Sequence, residues 1–428
     1  MSRLLFRGAR LLDPESGLDA RGDLLVEGDR IAAVGGEFAS KAADAETLAA
    51  EGLCLAPGLV DMRVQLREPG AEHMESIETG GQAAAAGGVT TMVALPNTDP
   101  PVDDVSVVEF LARRAREAKL AKIHTYAAAT KGLAGRDLTE MGLLSANGAL
   151  GFTDGVRAVA DALVMRRVLA YARTFDLLVV QHPEEPSLAQ AGEVSEGEIA
   201  TRLGLPAIPP VAEVIMIERD LRLVEITGGR YHVAHVSTAA GVEVIRRAKA
   251  QGLPVTCDTA PPYFALNETA IGDYRTFAKL SPPLRSERDR RAVVEGLRDG
   301  TIDAIASDHS PWDQDSKRLP FGSAAYGIVG LETLLPLSLE LYHNHHLELL
   351  ELVRRLTLKP AQILGLPVGR MAQGAPADLV LFDPDSPWQI STDAFRSKSK
   401  NAPFDGRPVR GRVRRTMVDG RTIFHAAD

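Results

Sequence analysis

The hydrophobic positions at the two ends of the chain form short strand-like runs separated by polar turns. Two of these turns are Glu27-Gly28-Asp29 and Asp419-Gly420. The predicted terminal strands are Leu4–Phe6, Asp23–Val26, Arg30–Val34, Asp378–Phe382, Arg415–Val418 and Thr422–Phe424. Because both ends supply hairpin material, we expect one small composite β-sandwich domain built from residues 1–56 and 370–428.

The central part of the chain alternates strand-like runs with helical segments rich in Ala, Leu and Arg, such as Asp161–Thr174 and Gly241–Gln251. The predicted strands are Gly58–Leu66, Val89–Leu95, Ile123–Ala128, Ala149–Thr153, Leu177–Gln181, Tyr231–Val236, Pro254–Asp258 and Asp303–Ser307. Strands that alternate with helices in this number are typical of a (β/α)₈ barrel. We therefore predict an α/β protein whose residues 57–369 form a TIM-like barrel, with its chemistry at the carboxyl ends of the strands.

Composition and charge narrow the functional classes. The 428 residues are 45% hydrophobic and 25% charged, as in globular proteins, and the net charge of −9 argues against nucleic-acid binding. A local basic run near the carboxyl terminus has two interpretations, a solvated strand face or a contact with an acidic partner subunit. Its members are Arg407, Arg410, Arg412, Arg414 and Arg415.

The two cysteines, Cys54 and Cys257, are too few for a disulfide framework or a thiolate zinc cluster, and we expect buried free thiols. Arginines interrupt the apolar residues near the amino terminus, so no secretory signal is predicted. No apolar run reaches the roughly 18 residues of a membrane span. We expect a cytoplasmic, enzyme-like homo-oligomer without a membrane or nucleic-acid partner.

Three polar residues at predicted strand ends are candidates for chemistry. His182 follows the run Leu177–Gln181, His235 ends another run, and Asp308 follows the eighth predicted strand. Two imidazoles and a carboxylate can bind one zinc ion and leave a position open for water. The alternatives are a structural role for His182 and a helix-capping role for Asp308. His232 faces away from His235 along the strand, and we expect it to be structural.

Several longer runs resemble the long-chain bacterial dihydroorotases of the amidohydrolase superfamily. The match covers nearly the whole chain in order, and related hydantoinases and allantoinases match the Leu-Arg-Glu-Pro-Gly run less well. The matching runs are Pro57–Gly70, Gly87–Thr91, Pro96–Thr98, His235–Thr238, Ser281–Arg285, Ser307–Pro311, Gly327–Thr333 and Lys400–Phe404. The resemblance implies a role in pyrimidine biosynthesis and hydrolysis of a cyclic amide by a zinc-activated hydroxide.

The sequence departs from this family at three of its six metal-ligand positions. Arg63 and Gln65 replace the His-x-His pair of the first strand, and an ungapped match places Gly155 at the bridging aspartate. A local bulge that brings Asp154 into that place is the alternative. The family ligands that remain are His182, His235 and Asp308, and Asp308 would be the catalytic residue of an active enzyme. An arginine carries no lone pair, so we do not expect a binuclear centre.

One hypothesis about Arg63 is that it pairs with Asp308 across the barrel mouth and replaces the charge of the metal. The alternative is that Arg63 reaches solvent and nothing takes the place of the metal.

The resemblance also implies substrate-binding positions. Arg67 and Asn97 match the residues that hold the substrate carboxylate, and Tyr326-Gly327 match a pair that contacts substrate through backbone groups. Ser281 stands in place of a family asparagine. Trp312 and Pro262-Tyr263 stand in place of family histidines. These further losses favour decay of catalysis over the exchange of a single ligand.

Three functional hypotheses follow from this sequence. The first is a non-catalytic homologue, because the resemblance implies that metal-site-deficient chains assemble with aspartate carbamoyltransferase and support its architecture. The second is an active dihydroorotase with a single zinc ion at the three remaining ligands. The third is a barrel that binds a small carboxylate without turnover. The run His343-Asn344-His345-His346 contains a His-x-His, but we expect it to be an exposed helix end.

Overall fold

The computed structural model describes residues 3–36, 38, 42, 44–190 and 192–426. Within these residues, no helix is both long and apolar enough to cross a membrane.

A mostly antiparallel sheet joins the two ends of the chain. Its strands run in the order β18-β17-β16-β5-β1-β2-β3, and β4 pairs with β1. They are β1 (Arg3–Asp13), β2 (Leu18–Glu27), β3 (Arg30–Val34), β4 (Glu46–Ala49), β5 (Cys54–Pro57), β16 (Leu379–Gln389), β17 (Pro408–Val418) and β18 (Arg421–His425). The register that places Leu379 opposite Pro57 brings the amino-terminal and carboxyl-terminal strands together. The composite β domain that the sequence predicts is confirmed.

The central strands form a parallel barrel in which neighbours in the chain are neighbours in the sheet. They are β6 (Leu59–Val64), β7 (Val89–Ala94), β8 (Lys122–Ala127), β9 (Ala149–Phe152), β10 (Leu178–Gln181), β13 (Arg230–Val233), β14 (Val255–Thr259) and β15 (Ala304–Ile305). The segment after β15 closes the barrel, because the amide of Gln65 donates to the carbonyl of His309 at 2.8 Å. The predicted (β/α)₈ barrel is therefore confirmed. The sequence did not predict the short pair β11 (Val194–Ser195) and β12 (Ala207–Ile208).

Helices surround the barrel and fill its connections. They are α1 (Ile77–Ala86), α2 (Val105–Ala118), α3 (Met141–Ala146), α4 (Ala162–Thr174), α5 (Pro186–Ala189), α6 (Glu198–Leu203), α7 (Val211–Thr227), α8 (Ala239–Ala250), α9 (Pro261–Ala265), α10 (Glu287–Asp299), α11 (Gln314–Lys317), α12 (Leu334–His343), α13 (Leu349–Leu356) and α14 (Leu358–Leu364). Helix α4 begins where the sequence predicts it, because the carboxylate of Asp161 accepts from the amides of Leu163 and Val164.

Both cysteines, Cys54 and Cys257, are buried free thiols, as predicted. The basic run lies largely on β17, whose exposed side chains include Arg410 and Arg412. Arg407, just before this strand, pairs with Glu340 at 2.8 Å.

Candidate functional site

The carboxyl ends of four barrel strands bring the predicted site residues together. Arg63 lies on β6, while His182, His235 and Asp308 follow β10, β13 and β15. Residues at the ends of parallel strands share one rim of the barrel, which explains how residues so far apart in sequence meet.

Arg63 and Asp308 form an ion pair at this rim. The Nε atom of Arg63 donates to Oδ1 of Asp308 at 2.8 Å, and the two side chains are 3% and 13% exposed. Nη2 of Arg63 also donates to the carbonyl of Gly155 at 3.2 Å. The predicted pairing of Arg63 with Asp308 is confirmed. It places a permanent cation against one of the remaining ligand positions.

The two histidines extend this pair into a chain of polar contacts. Nδ1 of His182 and Nε2 of His235 are 2.9 Å apart, within hydrogen-bonding distance. Nδ1 of His235 lies 3.3 Å from Oδ2 of Asp308 but is not aligned as a hydrogen bond. His182 in turn lies 3.4 Å from the hydroxyl of Ser281. His182, His235, Asp308 and Arg63 thus form one continuous series of contacts in that order.

Burial and nearby charges determine the protonation states of His235 and Asp308. Burial and the neighbouring Arg63 lower the pKa of His235 to about 4, so the imidazole is neutral at pH 7. Burial raises the pKa of Asp308, but the contact with His235 and the charge of Arg63 outweigh this effect and hold the pKa well below its usual range. Because His235 is neutral at pH 7, Arg63 is the cation that balances Asp308.

The donor set does not fit a binuclear zinc centre. Arg63 offers no lone pair, and Gly155 has no side chain. The carboxylate of Asp154 is engaged elsewhere, because it accepts from the amide and hydroxyl of Thr130 at 2.9 and 2.5 Å. Over the described part of the chain, no three or more His, Cys, Asp or Glu side chains are grouped to hold a metal ion.

Gln65 links Asn97 and Arg67, the two residues that the resemblance implies hold the substrate carboxylate. Its Oε1 accepts from Nδ2 of Asn97 at 2.9 Å, and its Nε2 donates to the hydroxyl of Ser310 at 2.9 Å. The same hydroxyl lies 3.4 Å from Nη2 of Arg67. Gln65 therefore connects Asn97 to Arg67 through the hydroxyl of Ser310.

Arg67 is a half-buried cation without an acidic partner among the described residues. Its guanidinium lies 4.3 Å above the ring of Trp312, and its Nε donates to the carbonyl of Pro311 at 3.0 Å. No carboxylate of the described residues is within ion-pair distance of it. Burial lowers the pKa of Arg67 to about 10. Its backbone is left-handed, with φ 58°, as are those of His235 and Asp308.

A cavity of about 540 Å³ opens at the barrel mouth. The predicted site residues that line it are Arg63, Gln65, Arg67, Asn97, Ser281, Asp308, Tyr326 and Gly327. His182 lines an adjoining groove instead. The cavity has the size of a small-molecule site.

Tyr326 and Gly327 form one wall of the cavity, and hydrogen bonds from neighbouring segments fix the main chain of Gly327. The amide of Gly327 donates to the carbonyl of Lys279 at 2.9 Å, and its carbonyl accepts from Nζ of Lys317 at 3.1 Å. The side chain of Asn401 donates to the same carbonyl at 3.1 Å. The sequence did not single out Lys279 or Lys317, and Asn401 entered only as part of a matching run.

The other residues singled out by sequence lie around the site or away from it. His232 contacts Thr256 and Asp258 at 2.8 and 3.0 Å, which agrees with the structural role expected for it. Tyr263 packs edge-on against His235. His343 ends helix α12, as expected, and its Nε2 lies 3.0 Å from the carbonyl of Pro384.

A barrel with a composite β domain is also the architecture of solved hydantoinases. The L-hydantoinase of Arthrobacter aurescens superposes with a TM-score of 0.90 at 27% identity, over 100% of this chain and 97% of that one. A dihydropyrimidinase from Brevibacillus agri shares the fold, with a TM-score of 0.86 at 24% identity over 99% and 95% of the two chains.

Sequence similarity gives the family. A Dihydro-orotase-like family model matches residues 52–240, and an Amidohydrolase family model matches residues 227–424. A dihydroorotase of Anaplasma phagocytophilum is 47% identical over 98% of this chain and 94% of its own length. A dihydroorotase of Syntrophotalea carbinolica is 45% identical over 100% of both chains. The chain belongs to the dihydroorotase family.

Proposed function

We propose that this chain is a dihydroorotase-family protein of pyrimidine biosynthesis that does not hydrolyse dihydroorotate, and that it is a structural partner of aspartate carbamoyltransferase. The observation that carries the loss of catalysis is the ion pair between Arg63 and Asp308 at 2.8 Å. A fixed positive charge beside Asp308, which the resemblance implies is a metal ligand, supports the loss of the metal. The names of the full-length relatives support the place in pyrimidine metabolism.

The chemistry of the reaction explains why this pair matters. Opening a cyclic amide in this family needs a hydroxide made by a bound metal ion. A single zinc ion at His182, His235 and Asp308 is the competing proposal. It requires the Arg63–Asp308 pair to break, and the two imidazoles, 2.9 Å apart, to release each other. Both changes cost free energy that metal binding must recover.

The partner role rests on the family resemblance, and sedimentation velocity tests it. The chain is mixed with aspartate carbamoyltransferase from the same genome, and we expect one faster boundary that contains both proteins. Separate boundaries would contradict the partner role.

Variants on the exposed basic face of β17 test whether this surface makes the contact with the partner. Arg410 and Arg412 are exposed there. Arg166 on α4 is exposed as well and serves as the matched control. If the R410Q/R412Q variant no longer co-sediments while R166Q does, the basic run is the contact. If R410Q/R412Q still co-sediments, the run is a solvated strand face.

A second candidate function is binding of a small carboxylate without turnover. The specific observation is Arg67, a half-buried guanidinium that lines the cavity without a carboxylate partner among the described residues. Burying an uncompensated charge and holding a non-glycine residue at φ 58° both cost free energy. A carboxylate ligand would compensate the charge through paired hydrogen bonds.

A further inference from the structure

Two buried lysines lie behind one wall of the cavity. Lys279 is 1% exposed and Lys317 is 0% exposed. Within the described ranges, neither amine has a carboxylate within ion-pair distance. Buried lysines are rare without such a partner, because transfer of an ammonium group out of water is costly.

Both amines are bound to the main chain of residues 321–327, which we call the wall loop. Lys317 donates to the carbonyls of Ala325 and Gly327 at 2.7 and 3.1 Å. Lys279 donates to the carbonyls of Phe321 and Gly322 at 2.6 and 3.1 Å. The wall loop is therefore folded around the two amines.

The main chain that carries the lysines also holds the wall loop directly. The amide of Ala325 donates to the carbonyl of Ser316 at 3.0 Å, and the amide of Gly327 donates to the carbonyl of Lys279 at 2.9 Å. These two amides are protected from solvent only while the wall loop stays in place. They report on its opening.

The position of the wall loop sets the shape of the cavity. Ala325, Tyr326 and Gly327 line it. Gly327 has φ 113°, and a Cβ atom at this position would collide with the side chain of Ser310. Because Ser310 also binds Gln65, a shift of the wall loop would alter the polar side of the cavity.

We propose that Lys279 and Lys317 form a latch whose hold on the wall loop tightens as the pH rises above neutrality. Closing the wall loop removes both amines from water and brings two like charges together. The closed form therefore disfavours protonated lysine, whereas the open form exposes the amines to water.

The sign of the pH dependence follows from linkage. Burial and the charge of Lys279 lower the pKa of Lys317 to about 7 in the closed form, and burial lowers the pKa of Lys279 as well. Glu193 opposes the shift of Lys279. The phenol of Tyr326, whose pKa burial raises to about 12, stays neutral. Below about pH 7 Lys317 is protonated in both forms, so closure does not depend on its titration. Above that pH closure strengthens by up to about tenfold per pH unit.

Amide hydrogen exchange of the intact chain between pH 6 and 9 tests this proposal. We expect the protection factors of Ala325 and Gly327, corrected for intrinsic rates, to be flat up to about pH 7 and then to rise by up to about tenfold per unit. Amides of helix α4 serve as the internal reference and should stay flat. A flat wild-type profile for the wall loop would overturn the latch.

The K317M variant separates titration from packing. Methionine fills a similar volume without a charge, so we expect the rise in protection that begins at about pH 7 to be lost. Lys359 is partly exposed and serves as the matched control in K359M, which should keep the wild-type slope. A wild-type slope in K317M would overturn the proposal. The wild-type series does not depend on how well the variant folds.

Discussion

The guanidinium of Arg63 and the carboxylate of Asp308 meet at 2.8 Å across the barrel mouth, although 245 positions separate them in sequence. The resemblance to dihydroorotases implies a metal ligand at Asp308, and in this chain a protein cation lies against it instead. The charge of Arg63 helps to keep Asp308 ionised. We therefore expect the barrel mouth to be stable without a metal ion.

Removing the cation alone should destabilise the fold. In R63M the carboxylate of Asp308 stays buried without its partner, and we expect the free energy of unfolding to fall by about 3 kcal/mol. Urea unfolding at pH 7 measures this change. In R63M/D308N the unpaired charge is gone, so we expect most of the loss to be recovered. An equal loss in the single and double variants would show that packing, and not the ion pair, is responsible.

Arg67 should control carboxylate binding. We expect dihydroorotate to change the fluorescence of Trp312, which lies 4.3 Å from the guanidinium of Arg67, in a W388F background that leaves it as the only tryptophan. In R67M we expect affinity to fall at least about tenfold, while the free energy of unfolding stays within about 1 kcal/mol. R166M is the control. Unchanged affinity in R67M would contradict the carboxylate site.

Replacing Arg63 and Gln65 by histidines should enable the chain to bind a metal ion. R63H/Q65H releases Asp308 and supplies two imidazoles two residues apart at the end of β6, so we expect about one zinc ion per chain by elemental analysis. The wild type treated in the same way is the control. No gain of zinc over the wild type would mean that Arg63 and Gln65 are not what disables the site.

An aspartate introduced at Gly155, where the resemblance implies the bridging ligand, should destabilise the fold. Gly155 has φ 72°, and a Cβ atom there would lie 3.2 Å from Oδ1 of Asn97. We expect G155D, added to R63H/Q65H, to lower the free energy of unfolding by about 1 kcal/mol, because aspartate tolerates this backbone conformation but crowds Asn97. Urea unfolding of both variants gives the difference. A gain in stability would contradict this interpretation of the crowding.

The barrel was predictable because it depends on strong local patterns. Each strand is a short apolar run, and the ends of parallel strands share one rim. The sequence therefore predicts that Arg63 and Asp308 lie at the same rim, but it left open whether Arg63 pairs with Asp308 or reaches solvent. The composite β domain followed from hairpin turns at both ends of the chain. The domain limits proposed from sequence, residues 1–56 and 370–428 against residues 57–369, stay a prediction.

The supporting contacts were not predictable, because they depend on side-chain directions in long loops. Nothing in the sequence around Lys279 or Lys317 indicates a buried amine. The use of Gln65 as a link between Asn97 and Ser310 requires the loop after the eighth strand to lie against the first strand. The contact between His182 and His235 likewise depends on the left-handed backbone of His235.

Metal content and dihydroorotate hydrolysis, measured on one sample of the purified wild-type chain after zinc addition, test the central claim most directly. The account predicts no stoichiometric zinc and no turnover, because Arg63 holds Asp308. A bound zinc ion together with turnover would contradict it, and would mean that His182, His235 and Asp308 suffice for catalysis.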